Sequence, residues 1–284
     1  MCLLPLCGFV SSCLSGIIRF FSSLLGRAGV RFAPISIDEE GISIRAIRED
    51  RSGARLLFVT PSHQYPLGVT MTLARRLEVL EWAQQTEAWI VEDDYDGEFR
   101  YKGQPIPSLQ GLDGSQRVIY TGTFSKVMFP SLRIGYLVAP HDLVEAFTKA
   151  RVFGDLCGNT IPQAALADFI EEGHFTRHLR RMRKLYADRQ ACLVSTAKTE
   201  LSGFLEIQER AAGMHLIGWL PHGVSDQAAA RAAWRHKIIA GPLSGFGIKP
   251  VERGALVLGF TAFNERKIRG GIKQLRVALS EIAG

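Results

Sequence analysis

A lysine, a dense run of carboxylates, a tyrosine, small hydroxyls and an arginine fall into three short polar clusters of this 284-residue chain. Each cluster directly follows an apolar run. PSHQYPLG (61–68) comes after LLFVT, EDDYDGEFRY (92–101) after WIV, and TGTFSK (121–126) after RVIY, with Arg133 seven residues beyond Lys126. A lysine amine condenses with a carbonyl, and a carboxylate keeps a basic ring nitrogen protonated. Hydroxyls and the planar fork of an arginine suit a phosphate. The list therefore fits a carbonyl cofactor that carries both a ring nitrogen and a phosphate. Duller readings stand beside this one. Asp93 is of the type that caps turns, Tyr95 of the type that half-buries, and His63 of the type that satisfies backbone groups before Pro66. Asp94, Asp96 and Glu98 read as turn and surface residues.

The elements that must position these residues alternate between strand and helix patterns. Short apolar runs at 30–37, 56–60, 89–92, 117–120 and 133–139 predict strands, and 71–84 predicts a helix with Leu73, Leu77 and Leu80 on one face. Nearly all-apolar strands separated by helices imply a mostly parallel sheet flanked by helices, an α/β architecture whose chemistry collects at the carboxyl ends of the strands. Further on, HFTRHLRRMRKLYADRQACLV reads as a long helix with Leu179, Met182, Leu185 and Leu193 inward. Strands follow at 204–208, 214–220 and 255–261, with helices at 226–238 and 265–282, the last carrying Ile268, Ile272, Leu275 and Leu279 at helical spacing. This is a smaller C-terminal α+β lobe, and its boundary is drawn near Arg151. The domains expected are an atypical apolar segment at 1–27, a partial large domain at 28–150, and the connecting helix with the small lobe at 151–284.

With 46% hydrophobic and 22% charged residues the chain can bury a core. The net charge of +6 gathers in Arg177–Arg189, read as the solvated face of the long helix, and no nucleic-acid-binding motif accompanies it. Five cysteines, an odd number without metal-ligand spacing, indicate a reducing compartment and no metal site, so the expected location is cytoplasmic. The first 27 residues lack the basic start of a signal peptide, and Arg19 interrupts the run that a membrane span requires.

TGTFSKVMFPSLRIGY resembles the lysine-bearing segment of fold-type I aminotransferases. Together with TPSHQYPLG and VEDDYDGEFRY it resembles the MocR/GabR family, in which a winged helix-turn-helix precedes an aminotransferase-like domain. The resemblance runs from about Gly29 to the C-terminus and includes HLRRMRKLYADR and AGMHLIGWL. It implies a fold-type I domain with pyridoxal 5′-phosphate held as an aldimine at Lys126. Asp93 would then face the pyridinium nitrogen, Tyr95 the phenolic oxygen, and Thr123, Ser125 and Arg133 the phosphate. His63 and Gln64 would lie near the ring. It also implies a small-molecule amine or amino acid as ligand and a homodimer. Two departures stand out. Val257 in ALVLGF occupies the place of the arginine that clamps a substrate carboxylate in aminotransferases, and Arg253 is poorly offset to replace it. Residues 1–27 show neither a phosphate-binding glycine turn, a ring-stacking aromatic nor the DNA-binding module. Three functions follow as expectations: a domain that binds an amino compound as a sensor, a competent aminotransferase, or an N-terminally truncated remnant without function.

Overall fold

The computed structural model describes residues 29–155, 158–248 and 250–282, together with the backbone of 9–11. A sheet of six strands forms the larger lobe: β1 (Phe9–Ser11), β2 (Phe32–Pro34), β5 (Leu56–Val59), β6 (Trp89–Asp94), β7 (Val118–Thr123) and β8 (Gly135–Val138). Their order is β2-β1-β5-β6-β7-β8, parallel throughout except for β8, which runs antiparallel to β7. A two-stranded ribbon, β3 (Ile37–Asp38) with β4 (Gly41–Ile42), leads into the short helix α1 (Ile44–Glu49). The segment set apart at 1–27 thus contributes a strand: Phe9–Ser11 lies between β2 and β5 and pairs with both. The rest of that segment lies outside the described residues.

Helix α2 (Leu73–Thr86) is capped by Thr72, whose hydroxyl accepts the Arg75 N–H, and ends on Glu87 in the left-handed region at φ 53°. Its buried residues Val79, Leu80, Trp82 and Ala83 join Leu57, Val59, Ile90 and Val118 of the sheet in one core. Leu73 and Leu77, expected on that inner face, are 46% and 51% exposed. The inward place at this end of the helix belongs to Arg76 instead. Its guanidinium is 1% exposed and donates to the carbonyls of Pro107 at 3.0 Å, Pro61 at 3.1 Å and Met71 at 3.3 Å. It stands 3.6 Å from Glu92, which accepts the backbone N–H groups of Leu109 and Gln110 at the start of α3 (Leu109–Leu112). A cation that satisfies several carbonyls at once holds a core position that spacing assigns to an apolar residue.

The sheet continues through α4 (Phe124–Val127) and a 3-10 turn at Pro130–Leu132 into β8, and then into α5 (His141–Asp155) and α6 (Thr160–Glu171). The long helix α7 (His174–Glu200) buries Met182 and Leu193 and leaves Arg177, Arg180, Arg181, Arg183 and Lys184 exposed, as its pattern predicts. It leads into a sheet of β9 (Glu206–Ile207), β10 (His215–Trp219), β11 (Gly241–Pro242) and β12 (Ala255–Gly259), ordered β11-β12-β10-β9 and antiparallel. Helices α8 (Asp226–Arg235) and α9 (Glu265–Ser280) complete this lobe. Ile268, Ile272, Leu275 and Leu279 of α9 are buried against Leu193, Leu216, Leu256 and Leu258. The lobes meet where Arg100 bridges Ala212 and the Tyr101 hydroxyl donates to the Gly213 carbonyl at 2.6 Å. No helix among the described residues is long and apolar enough to cross a membrane.

Removing the guanidinium with Arg76→Met strands the Glu92 carboxylate, which burial already pushes above its ordinary pKa. The expected loss is about 3–5 kcal/mol, seen as a lower urea midpoint. Adding Glu92→Gln should recover part of it, and a single variant as stable as the parent would show that the contact carries no structure.

Candidate functional site

The three polar clusters emerge side by side, because β5, β6 and β7 are adjacent and parallel and their carboxyl ends share one edge. The antiparallel sense of β8 adds a fourth contribution. Thr123, the last residue of β7, pairs with Gly135, the first of β8, so the turn between them carries both Lys126 and Arg133 at that same edge.

Lys126 lies in α4 with its side chain exposed and makes no hydrogen bond among the described residues. Its charge is close enough to His215 to help depress that imidazole. Thr123 caps α4: its hydroxyl accepts the Ser125 N–H at 3.2 Å and donates to the Ile134 carbonyl at 3.4 Å. Arg133 is exposed, unpaired among the described residues, and held in the left-handed region at φ 50°, a conformation uncommon for a residue with a side chain. The α4 turn is braced from outside by α7, where His178 meets the Val127 carbonyl at 3.0 Å.

Asp93 ends β6 opposite Thr121 of β7, and the Thr121 hydroxyl donates to its Oδ1 at 3.3 Å. No cation among the described residues pairs with it. Burial raises its pKa from 3.8 to about 6, against the weaker pull of Thr121, and neighbouring Asp94 and Asp96 add to the rise. Asp94 serves the turn, accepting from the Tyr120 hydroxyl at 3.0 Å and the Gly97 N–H at 2.9 Å. Asp96 is not the surface residue expected, being 1% exposed with Oδ2 3.1 Å from His63 Nδ1. Glu98 is also largely enclosed, and burial lifts it to about 7. These acids turn inward because the 99–101 strand is drawn onto 211–213 of the other lobe, where Gly213 donates to Phe99 at 2.9 Å.

Tyr95 donates its hydroxyl to the His63 carbonyl at 2.9 Å and meets His63 Nδ1 at 3.0 Å. His63 and Gln64 are each 1% exposed. Gly68 and Gly213 both press on the His63 ring, and a β-carbon at 213 would overlap it. So enclosed, His63 touches Tyr95, Asp96 and His215. The Gln64 amide, placed by the backbone bridge between Gln64 and Val69, has no hydrogen-bond partner at either end of its side chain among the described residues.

Sequence reasoning missed two residues. Tyr65 packs edge-on against Tyr95, His215 and Phe246 at ring separations of 5.8, 5.1 and 5.6 Å. His215, on β10, meets the Pro66 carbonyl at 2.7 Å, and burial holds its pKa down to about 4, so it is neutral at pH 7. Both lay in quoted motifs, YPLG and MHLIGW, and alternation along HLIGW would have put His215 on the same face as Ile217. Val257 stands in β12 opposite Ile217, and Arg253 is held by Leu220 and Glu206.

These residues fit pyridoxal 5′-phosphate. Among the described residues, a free amine, a half-buried carboxylate without a counter-ion and a guanidinium without an acid lie along one edge, and an unsatisfied amide is buried in the neighbouring loop. A profile of the family described as aminotransferase class I and II matches residues 27–268. The chain is 44% identical over 264 residues to a probable rhizopine catabolism regulatory protein, MocR, of Rhizobium meliloti, covering 93% of this chain and 53% of that protein. It is 30% identical over 257 residues to aromatic-amino-acid aminotransferase 1 of Thermococcus litoralis, covering 88% and 62%. Among solved structures, the α-aminoadipate aminotransferase LysN of Thermus thermophilus, complexed with N-(5′-phosphopyridoxyl)-L-leucine, matches with a TM-score of 0.89 at 26% identity, over 97% of this chain and 72% of that one. The fold is thus fold-type I, as the resemblance implied, and the chain spans about half the length of the curated regulator it matches.

A carboxyl raised to about 6 in the folded chain binds its proton before the unfolded chain does. The resulting penalty is full above pH 6 and is relieved as pH falls toward 4. Asp93→Asn should therefore stabilise the cofactor-free chain at pH 7 by about 1–3 kcal/mol, with the difference from the parent shrinking toward pH 4 in urea titrations. An asparagine variant that is less stable at pH 7 would contradict this.

Proposed function

The chain belongs to the aminotransferase class I and II family, and from that premise we propose that it holds pyridoxal 5′-phosphate at Lys126 and binds an amino compound there as the ligand-sensing domain of a MocR-type protein. The observation that carries the reading is a charge arrangement. Asp93 has no cation and Arg133 no acid among the described residues, although both stand at one sheet edge with Lys126. Unpaired opposite charges at one edge suit a ligand that brings both signs, a phosphate and a protonated ring nitrogen.

Each residue then has a defined task. The Lys126 amine would anchor the cofactor covalently. Asp93 holds the proton of the ring nitrogen, and desolvation strengthens that contact once it is paired. Arg133 binds phosphate oxygens through its fork, with the Ser125 hydroxyl beside it. Tyr95, whose hydroxyl now donates to the His63 carbonyl, would lie on the cofactor's phenolic side. Bound in this way, the cofactor supplies an electron sink for the carbon that bears the ligand's amine.

The sensor reading rests on the closer similarity to a regulator, 44% identity against 30% for an aminotransferase. A ligand that binds one arrangement of the lobes better than another shifts their balance without turnover. A homodimer belongs to the proposal as well, since Leu137 on β8 and Val144 and Phe147 on α5 are large apolar side chains left exposed.

Incubating the full chain with the cofactor should give a visible absorption band, and borohydride should fix the cofactor's mass on the Lys126 peptide. Lys126→Ala should abolish both. Arg133→Met should weaken cofactor retention by roughly 10–100-fold, the worth of a charge-assisted contact. Label at another lysine would sink the assignment. Keto-acid release from an amine panel would replace the sensor by an enzyme.

A further inference from the structure

We propose that Asp96 is a positioning residue: through His63 it keeps the Tyr95 proton free to bond the phenolic oxygen of a cofactor held at Lys126. The proposal rests on the reading of Lys126 given above. Three side chains meet at one ring nitrogen. His63 Nδ1 lies 3.0 Å from the Tyr95 hydroxyl and 3.1 Å from Asp96 Oδ2, and His63 and Asp96 are each 1% exposed. Neither Asp96 oxygen receives any other donor among the described residues, so the imidazole is the group that answers this carboxylate. The ring cannot swing away, since Gly68 and Gly213 close on it and a β-carbon at 213 would overlap it.

A ring nitrogen holds either a proton or a lone pair, and its neighbours decide which. Imidazole is a stronger base than a carboxylate, so the proton between the two belongs to Nδ1. The other tautomer sets the Nδ1 lone pair against a buried carboxylate and buries an Nε2–H that has no acceptor among the described residues. A protonated Nδ1 cannot take a proton from Tyr95. The Tyr95 hydroxyl accordingly donates elsewhere, at present to the His63 carbonyl at 2.9 Å. An anionic phenolic oxygen is a stronger acceptor than a carbonyl and would draw that proton once the cofactor is bound. Without the Asp96 carboxylate nothing holds the proton on Nδ1, and a bare Nδ1 at 3.0 Å would compete with the cofactor for the Tyr95 hydroxyl. The other ionisable groups around this pair are Asp93, Asp94 and Glu98 of the same run, Tyr101 beyond it, and His215 and Lys126. His215 is neutral at pH 7, its pKa held down to about 4 by burial, so it adds no charge that would expel a proton from His63.

The test follows the visible absorption band of the cofactor-loaded full chain through a pH titration. A donor on the phenolic oxygen favours the deprotonated form of the bound chromophore, so Tyr95→Phe should raise the midpoint by about one pH unit. Asp96→Asn should move it in the same direction, and adding Asp96→Asn to Tyr95→Phe should change it no further. The sign decides, because loss of a nearby negative charge acting by Coulomb's law alone would lower the midpoint. An unchanged or lowered midpoint in either single variant, or equal shifts from Asp96→Asn with and without Tyr95, would overturn the proposal while leaving the Lys126 reading standing. Should Asp96→Asn not fold, nitrogen NMR of the histidine rings in the parent chain without cofactor reads the tautomer directly. A proton on His63 Nδ1 is expected there, and a bare Nδ1 would overturn the proposal. No band in the loaded parent would overturn the Lys126 reading, and this proposal with it.

Discussion

Arg76, itself buried, reaches from the first turns of α2 to the carbonyls of Pro61, Met71 and Pro107, and it lies 3.6 Å from the equally buried Glu92. Pro61 opens the loop that carries His63 and Tyr65, Glu92 is one residue before Asp93, and Pro107 leads into α3. One guanidinium therefore ties the exits of two adjacent strands to each other and to the helix that covers them. Coulomb attraction inside a protein roughly cancels the cost of drying the two charges, so the pair is a weak source of net stability. Its consequence is geometric. The carbonyls it holds cannot turn to other partners, and the residues that follow them keep a single arrangement.

Against that satisfied pair, the site keeps its own charges unsatisfied. Asp93 is half-buried where Glu92 is fully buried, and it receives one long hydroxyl contact instead of two backbone N–H groups and a cation. The difference shows how one strand serves both fold and chemistry. Alternate residues of β6 point to opposite faces, so Glu92 closes the structure beneath α2 while Asp93 stays available on the other side. A carboxylate left buried without a partner lowers the stability of the free chain, and a ligand that supplies the missing cation returns it.

The strand ends and their polar residues were legible in the sequence because short apolar runs bounded by turn residues have few other readings. Lys126 and Arg133 were legible as a pair, although nothing in the spacing shows why they are neighbours; the reversal of β8 does that. The inner face of α2 was misread because Leu73 and Leu77 satisfy a helical repeat, whereas Arg76 wins the buried position by bonding carbonyls that the sequence does not locate. Asp96 was misread for a similar reason. Its burial depends on the pairing of 99–101 with 211–213, more than a hundred residues away, and no local pattern records it. Phe9–Ser11 was set aside because three residues inside a run rich in Leu, Ser and Cys carry no alternation to distinguish a strand.

The two lobes are built around separate cores. On the large lobe, Lys126, Asp93, Tyr95 and Arg133 stand at adjoining strand ends, placed there by the register of β6, β7 and β8. On the small-lobe sheet, Leu216, Leu256 and Leu258 enter one core while Ile217, Ala255 and Val257 pack with Leu243 and Leu67 on the opposite face, so that sheet is covered on both sides. The contacts that relate the two lobes include His63 against Gly213, the Tyr101 hydroxyl on the Gly213 carbonyl and His215 on the Pro66 carbonyl, and any change in the arrangement of the lobes has to pass through them.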